Sequence, residues 1–148
     1  MFKKLTSVQK AYLAGFLDGD GSIYVRLKPN ASYRYGFQVA PYIVLFQSKK
    51  DEANFNKICS LINLGYLRER KDGVLEYTIN RKEAILSFLL LIEPYLILKQ
   101  EQAKLIRKIF LEKEKVKDKK DFARLMLLID LFRELNYSHK RKKRKLTP

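Results

Sequence analysis

Between Ser7 and about Gly19 the apolar residues recur three and four positions apart, which predicts an amphipathic helix with Thr6 or Ser7 as its N-cap. The period then drops to two. SIYVRLK (22 to 28) alternates apolar and polar positions among β-forming residues and predicts a strand. PNASYRYG (29 to 36) is turn-rich, and FQVAPYIVLFQ (37 to 47) predicts a second strand. Pro41 has no N–H to donate, so part of that second strand is expected at an edge or a bulge. Helical spacing returns in KKDEANFNKICSLIN (49 to 63), through Ala53, Phe55, Ile58, Leu61 and Ile62. GYLRER (65 to 70) and VLEYTIN (74 to 80) flank a KDG turn and predict a hairpin, because Asp72-Gly73 suits a tight reversal. Three further helical stretches cover about 81 to 93, 95 to 115 and 119 to 135, with Pro94 dividing the first two. The order α-β-β-α-β-β-α-α-α is a mixed α+β architecture with two hairpins and no internal repeat.

A chain of 148 residues, 47% of them hydrophobic, can bury one real core and is too short for two comfortable domains. Its longest apolar run, AILSFLLLI (84 to 92), falls well short of a membrane span and suits a buried helix. MFKKLTSVQK has neither the apolar stretch nor the cleavage site of a signal peptide, so an intracellular protein is expected, with no membrane partner. The single cysteine, Cys59, rules out an internal disulfide framework and a cysteine-ligated zinc site.

Charge narrows the class of partner. The chain has 31 Lys and Arg against 16 Asp and Glu, a formal +15. An excess of that size points to a polyanion, nucleic acid first and anionic membrane second. Six of the basic residues lie in the run HKRKKRKLTP (139 to 148); without them 25 basic residues still oppose 16 acidic ones, so the folded body is basic too. Residues 138–148 are therefore read as a basic tail, flexible on its own, that adds non-specific phosphate contacts to a domain spanning 1–137.

One stretch within this pattern is locally unfavourable. YLAGFLDGDGSIY (12 to 24) places two aspartates and three glycines directly after an apolar turn. Glycine is a poor helix former, and a carboxylate is badly placed at the negative end of the helix macrodipole. On a helix Ala11, Gly15 and Gly19 stand at i, i+4 and i+8, leaving a face almost without side-chain bulk that another helix backbone can approach closely. Leu13, Phe16 and Leu17 turn to the core. The spacing alone is equally met by a plain helix ending in a glycine-rich cap and an Asp-Gly turn. An EF-hand loop starting at Asp18 would need glycine where Ile23 stands and glutamate where Pro29 stands, and no Walker phosphate loop is present.

LAGFLDGDG (13 to 21) resembles the signature of the LAGLIDADG homing endonucleases, in the single-motif class whose members act as homodimers. The resemblance runs from residue 7 to residue 135. It takes in the order of helices and hairpins, the strand-to-helix FQSKK, the GYLRER hairpin and the late LKQEQA segment, and it points to the rRNA-intron-encoded type. It implies an α-β-β-α-β-β-α-α(-α) fold with a four-stranded antiparallel DNA-binding saddle in each subunit. Two copies of the first helix would then pack through Ala11, Gly15 and Gly19 at the dimer axis, each delivering Asp20 to a shared site beneath the DNA. The implied cofactor is Mg²⁺, with Mn²⁺ as a substitute, held by Asp20 and the Gly19 carbonyl, because hard cations prefer oxygen ligands. Without a metal, two close carboxylates would repel.

The same resemblance assigns Gln47, at the end of the second strand, to the orientation of water. It assigns Lys99, in ILKQEQA, to the neighbourhood of the scissile phosphate, where a cation stabilises developing charge. The chain departs from the pattern at Asp51, where relatives often carry a second basic residue; Lys50 is the candidate substitute. Asp18 is expected to pack or cap at the helix end. The only histidine, His139, lies in the tail, which argues against a histidine-based nuclease. Glu69-Arg70-Lys71 matches half of a different metal-nuclease pattern, of a kind frequent in a chain that is 32% charged.

A strand rises about 3.3 Å per residue and B-DNA about 3.4 Å per base pair, so a strand can track the duplex with alternate side chains facing the groove. Alternation from Ser22 directs Tyr24, Arg26 and Lys28 to DNA, and Val25, Leu27, Val39 and Ile43 to the core. Asn30, Ser32, Tyr33 and Arg34 fall at the hairpin tip, Gln38 and Tyr42 on the return strand, and Arg68 and Arg70 on one face of the second hairpin. The implied activity is Mg²⁺-dependent hydrolysis of both strands of a long, near-palindromic DNA target, giving a staggered break that promotes intron mobility. Two alternative readings stand beside it. One is an RNA-binding maturase on the same fold, with intron RNA as its partner; the other is a non-enzymatic basic nucleic-acid-binding protein, which leaves the helix-end aspartates unexplained.

Overall fold

A capping box starts the first helix: the Gln9 amide donates to the Thr6 hydroxyl at 3.1 Å, and the Thr6 amide donates to the Gln9 side chain at 3.0 Å. This helix, α1 (Ser7–Asp20), runs directly into β1 (Gly21–Pro29), followed by β2 (Phe37–Ser48), a 3₁₀ turn (Lys49–Asp51) and α2 (Glu52–Ile62). The chain continues through β3 (Tyr66–Glu69), β4 (Val74–Ile79), α3 (Lys82–Ile92), a second 3₁₀ turn (Glu93–Tyr95), α4 (Gln100–Glu114) and α5 (Lys119–Leu135). The computed structural model describes residues 4–136, so the basic tail at 138–148, with His139, lies outside the described residues. The strands form one four-stranded antiparallel sheet in the order β1-β2-β4-β3. This is the predicted α+β order. Among the described residues no helix is long and apolar enough to cross a membrane.

Three details refine the expected elements. Gly21 caps α1 in an extended conformation (φ −129°), so the helix does not end in a left-handed glycine cap. What Gly21 supplies is closeness: a Cβ there would stand 2.6 Å from Leu17 Cδ1 and 2.9 Å from Leu17 O. Second, α4 starts at Gln100 instead of 95; Leu96 to Lys99 approach it without helical structure. Third, β2 is an interior strand over its second half, while the part carrying Pro41 is edge-like, as expected. Its pairing with β4 begins only at Ile43, opposite Ile79, and ends at Ser48, opposite Val74. Pro41 therefore lies beyond the end of β4, where that side of β2 has no β4 carbonyl to receive a donor.

The described chain forms two compact units, one of residues 4–23 with 42–100 and one of 24–41 with 101–136. In the first, Leu13 and Leu17 of α1, Ile43 and Leu45 of β2, Leu75 and Ile79 of β4, and Phe88 of α3 are fully or almost fully buried. Phe16 stacks on Phe55 of α2 with ring centroids 5.9 Å apart. Cys59 also belongs to this core; burial pushes its thiol up to about 11, which leaves it unreactive. Replacing a core leucine such as Leu17 by alanine is expected to destabilise by about 2–5 kcal/mol.

The second unit is built on α4 and α5. Ala103, Ile106 and Ile109 on one helix and Phe122, Leu125, Ile129 and Phe132 on the other recur at helical spacing and are buried. Asp118 caps α5 by accepting from the Asp121 amide at 2.8 Å. Tyr35 stacks on Phe122 at 5.0 Å, and the Lys113 ammonium donates to the Val39 carbonyl at 3.3 Å.

Candidate active site

The residues singled out for catalysis all belong to the first unit. At the end of α1 Asp20 is exposed, and no side-chain hydrogen bond or ion pair among the described residues engages its carboxylate. Ala11, Gly15 and Gly19 are exposed on the same helix, and a Cβ at Gly15 or Gly19 would meet nothing within 4 Å. Tyr12 and Val8, one and two turns before Gly15, are 55% and 79% exposed, so the small-residue face continues into an uncovered apolar stretch. Among the described residues no group of three or more His, Cys, Asp or Glu is gathered for a metal. One chain alone offers a single carboxylate there.

Asp18 behaves quite differently. Its Oδ2 accepts from the Ile97 amide at 2.8 Å and the Leu98 amide at 3.1 Å, and its Oδ1 accepts from the Lys99 amide at 3.0 Å. In return the Lys99 ammonium donates to the Asp18 backbone carbonyl at 2.7 Å. A cation is favourable at that position, because the carbonyls at a helix C-terminus carry negative partial charge. Burial holds the Lys99 pKa below the ordinary lysine value, with the Asp18 charge opposing that shift. The structure thus brings Lys99 to the helix end that bears Asp20. Packing or capping was expected of Asp18, and capping is found, on a segment some eighty residues away that no local pattern reveals.

Gln47 is half-buried at the end of β2, and its Oε1 accepts from the Ser48 amide at 2.8 Å. A backbone N–H requires an acceptor, so this bond fixes which way the amide points and leaves the NH₂ group as the free donor. Gln47 makes no direct hydrogen bond to Asp20 or Lys99. Ser48 starts the following turn by accepting from the Lys50 amide at 3.2 Å. Lys49 is paired with Glu69 at 2.8 Å, and that hydrogen bond raises its pKa. The pairing uses the carboxylate of the Glu69-Arg70-Lys71 triplet, whereas no ion pair engages the ammonium of Lys50.

In the first hairpin Arg26 and Lys28 are exposed and Tyr24 is half-buried, while Val25 and Val39 point inward, as the alternation predicts. At the tip Asn30 Oδ1 accepts from the Ser32 amide at 3.0 Å and from its hydroxyl at 2.6 Å, so both residues shape the turn. Tyr33 and Arg34 are exposed there and Gln38 is half-buried on the return strand. The exception is Tyr42, only 8% exposed, whose side chain is not offered to a groove. Val44 and Thr78, paired across β2 and β4 on that parity, are buried as well, so this part of the sheet is covered on both faces.

In the second hairpin Arg68 and Arg70 are exposed but not free. Arg68 pairs with Glu76 at 3.1 Å; Arg70 pairs with Asp72 at 2.6 Å and approaches the other Glu76 oxygen at 3.6 Å. Glu76, which engages both arginines, was not singled out by sequence reasoning. The turn closed by Arg70 N donating to Val74 O at 2.8 Å sets Arg68 opposite Glu76, a register that could have been counted from Asp72-Gly73. Tyr77 was missed too: its hydroxyl oxygen accepts from the Leu64 amide at 2.8 Å and the Gly65 amide at 2.7 Å, anchoring the entry to β3.

A free acid at the tip of a bare helix face, above an α+β scaffold of this order, defines a class, and residues 13–110 match the model of the LAGLIDADG endonuclease family, to which the chain belongs. Among particular proteins it is similar to the DNA endonuclease I-CreI of Chlamydomonas reinhardtii, with 36% identity over 132 residues, 88% of this chain and 80% of that protein. It is also similar to the DNA endonuclease I-CvuI of Chlorella vulgaris, with 32% identity over 120 residues, 81% of this chain and 74% of that one. A crystal structure of I-CvuI in complex with the I-CreI target in the presence of magnesium, its DNA not cleaved, aligns at a TM-score of 0.83. That alignment has 30% identity and covers 91% of this chain and 86% of the other.

Proposed function

We propose that this chain is one subunit of a homodimeric, divalent-metal-dependent, site-specific DNA endonuclease. It cuts both strands of a long, near-palindromic target with a stagger and so promotes mobility of its host intron. The observation that carries this reading is the state of Asp20: exposed, unengaged, and at the tip of a helix whose face at Gly15 and Gly19 is bare. A single carboxylate is a poor site for a hard cation, which prefers six oxygen ligands. Two chains meeting through the small face of α1 supply two carboxylates, and their relation by a two-fold axis makes the target near-palindromic.

Asp20 and the Gly19 carbonyl, with their counterparts in the second subunit, would hold Mg²⁺, and Mn²⁺ suits the same oxygen donors. A bound divalent cation supplies charge neutralisation at the phosphate under attack and at the departing oxygen. Gln47, with its carbonyl oxygen committed to Ser48, presents two amide hydrogens. It therefore orients a water by donating to the water oxygen and takes no proton from it, an amide being no base. Lys99 brings its ammonium to the α1 tip, where it stabilises charge developing on the phosphate. Lys50 is the second cation available for the same purpose.

Sequence reading is assigned to the hairpins. Tyr24, Arg26 and Lys28 on β1, the tip residues Asn30, Ser32, Tyr33 and Arg34, and Gln38 on β2 serve one stretch of DNA; Arg68 and Arg70 serve another. Arginine suits guanine and Asn30 or Gln38 suits adenine, with the lysines on phosphate. Tyr42 leaves the contact set because it is buried. Residues 1–137 act as the endonuclease, inside the cell, and the tail at 138–148 adds phosphate contacts.

The test uses the purified protein and the intron-free form of its host DNA, with Ca²⁺ in place of Mg²⁺ to measure binding alone. The wild type should cut in Mg²⁺. Asp20→Asn should bind the target within a few-fold of wild type and lose about 10³-fold or more in cleavage, the several kcal/mol that a catalytic metal supplies. Cutting retained by that variant would move the metal elsewhere, and wild-type protein that binds this DNA without cutting it would remove the endonuclease reading.

A further inference from the structure

Asp18 and Lys99 form a reciprocal tie between segments 81 positions apart. The three amides bound by the Asp18 carboxylate belong to Ile97, Leu98 and Lys99. They precede α4, which starts at Gln100. An ordinary N-cap satisfies amides inside the first helical turn; Asp18 instead fixes the bent, non-helical approach to the helix. Ile97 and Leu98 are 84% and 70% exposed, so packing of their side chains within the chain does not hold that approach in place. Lys99 is consequently restrained at both ends, its backbone amide on Asp18 Oδ1 and its ammonium on Asp18 O. A lysine side chain free to sample its rotamers would spend little time at one point.

We propose that Asp18 is the positioning residue for Lys99: it fixes the lysine's backbone and receives its ammonium, so that the cation waits at the helix end two residues from Asp20. The proposal rests on the reading that Lys99 supports charge at the scissile phosphate. It distinguishes the two aspartates of the motif by task, Asp20 toward metal and Asp18 toward the lysine. Its signature is a loss in the rate of cleavage without a loss in DNA affinity, transmitted through Lys99 alone.

The experiment is a double-mutant cycle on the full-length dimer, with Asp18→Asn, Lys99→Met and the pair together. Single-turnover cleavage is measured in Mg²⁺ and target affinity in Ca²⁺. An asparagine keeps one oxygen but turns an NH₂ group toward donor amides, so the approach segment loosens. Asp18→Asn and Lys99→Met should each slow cleavage by about 10- to 100-fold with affinity within about threefold, and the double variant should be no slower than the slower single one. Losses that multiply in the double variant would show Asp18 acting independently of Lys99 and overturn the proposal. A parallel fall in affinity for Asp18→Asn would reduce it to a structural cap, with the same consequence. If Lys99→Met cuts at the wild-type rate, the reading of Lys99 itself fails, an outcome visible before Asp18 is considered. Should Asp18→Asn not fold, Asp18→Glu keeps the charge on a longer stem and is expected to give the same ordering of rates.

Discussion

Gly15→Ala separates a lone chain from a dimer by the sign of its effect. Within one chain a Cβ at Gly15 meets nothing within 4 Å, and the residue lies in the interior of a 14-residue helix. For a lone chain the substitution is then only a gain in helix propensity, stabilising by about 0.8–1.0 kcal/mol. That corresponds to a rise in Tm of about 2–4 °C for a chain of this size. If two α1 helices pack through this face, the methyl enters a contact built for bare backbone, where overpacking costs about 1–3 kcal/mol. Symmetry places it there twice, so dimerisation should weaken by about 2–6 kcal/mol, or roughly 30-fold to 10⁴-fold in Kd. Sedimentation equilibrium gives the dimer Kd, and thermal unfolding over a hundredfold range of protein concentration shows whether Tm follows association. We expect a weakened dimer with a concentration-dependent Tm below wild type at low concentration. A dimer Kd within threefold of wild type, together with a raised Tm, would show the face to be open in solution and would remove the shared metal site.

Two further substitutions act on the second hairpin. Glu76→Gln removes the charge that engages Arg68 at 3.1 Å and frees that guanidinium for phosphate, while Arg70 stays paired with Asp72 at 2.6 Å. Non-specific DNA binding should tighten and its salt dependence should steepen by about one in log–log slope; an unchanged slope would mean Arg68 is already available. Tyr77→Phe leaves the Leu64 and Gly65 amides without their acceptor, and we expect about 1–3 kcal/mol lost in urea unfolding, with base preference relaxed at the positions read by β3. Unfolding at the wild-type midpoint would show that those two bonds carry no net stability.

Local patterns in the chain were enough for the order of elements. Thr6, ahead of an apolar periodicity, announces the start of α1, and Asp72-Gly73 announces the second hairpin. The pattern failed where distant parts of the chain override it. Residues 95 to 99 have helical composition, yet α4 begins only at Gln100, because the amides of 97 to 99 are taken by Asp18. Tyr42 has the parity of a groove-facing residue, but parity selects a face without saying whether that face is covered. Asp20, Gln47 and Lys99 came from a resemblance to a family and not from spacing, which describes a glycine-rich helix end equally well. The coupling of Lys99 to Asp18 had no sequence signal, since neither residue type nor periodicity links positions so far apart.

That separation bears on how the protein is made. Closing a loop from Asp18 to Lys99 costs more chain entropy than forming a neighbouring turn, and its reward arrives only when the segment after the second 3₁₀ turn has emerged from the ribosome. A nascent chain released early would carry the acidic motif without the lysine that the motif restrains. Until that segment arrives, the Asp18 carboxylate lacks its three amide partners and the end of α1 stands untied.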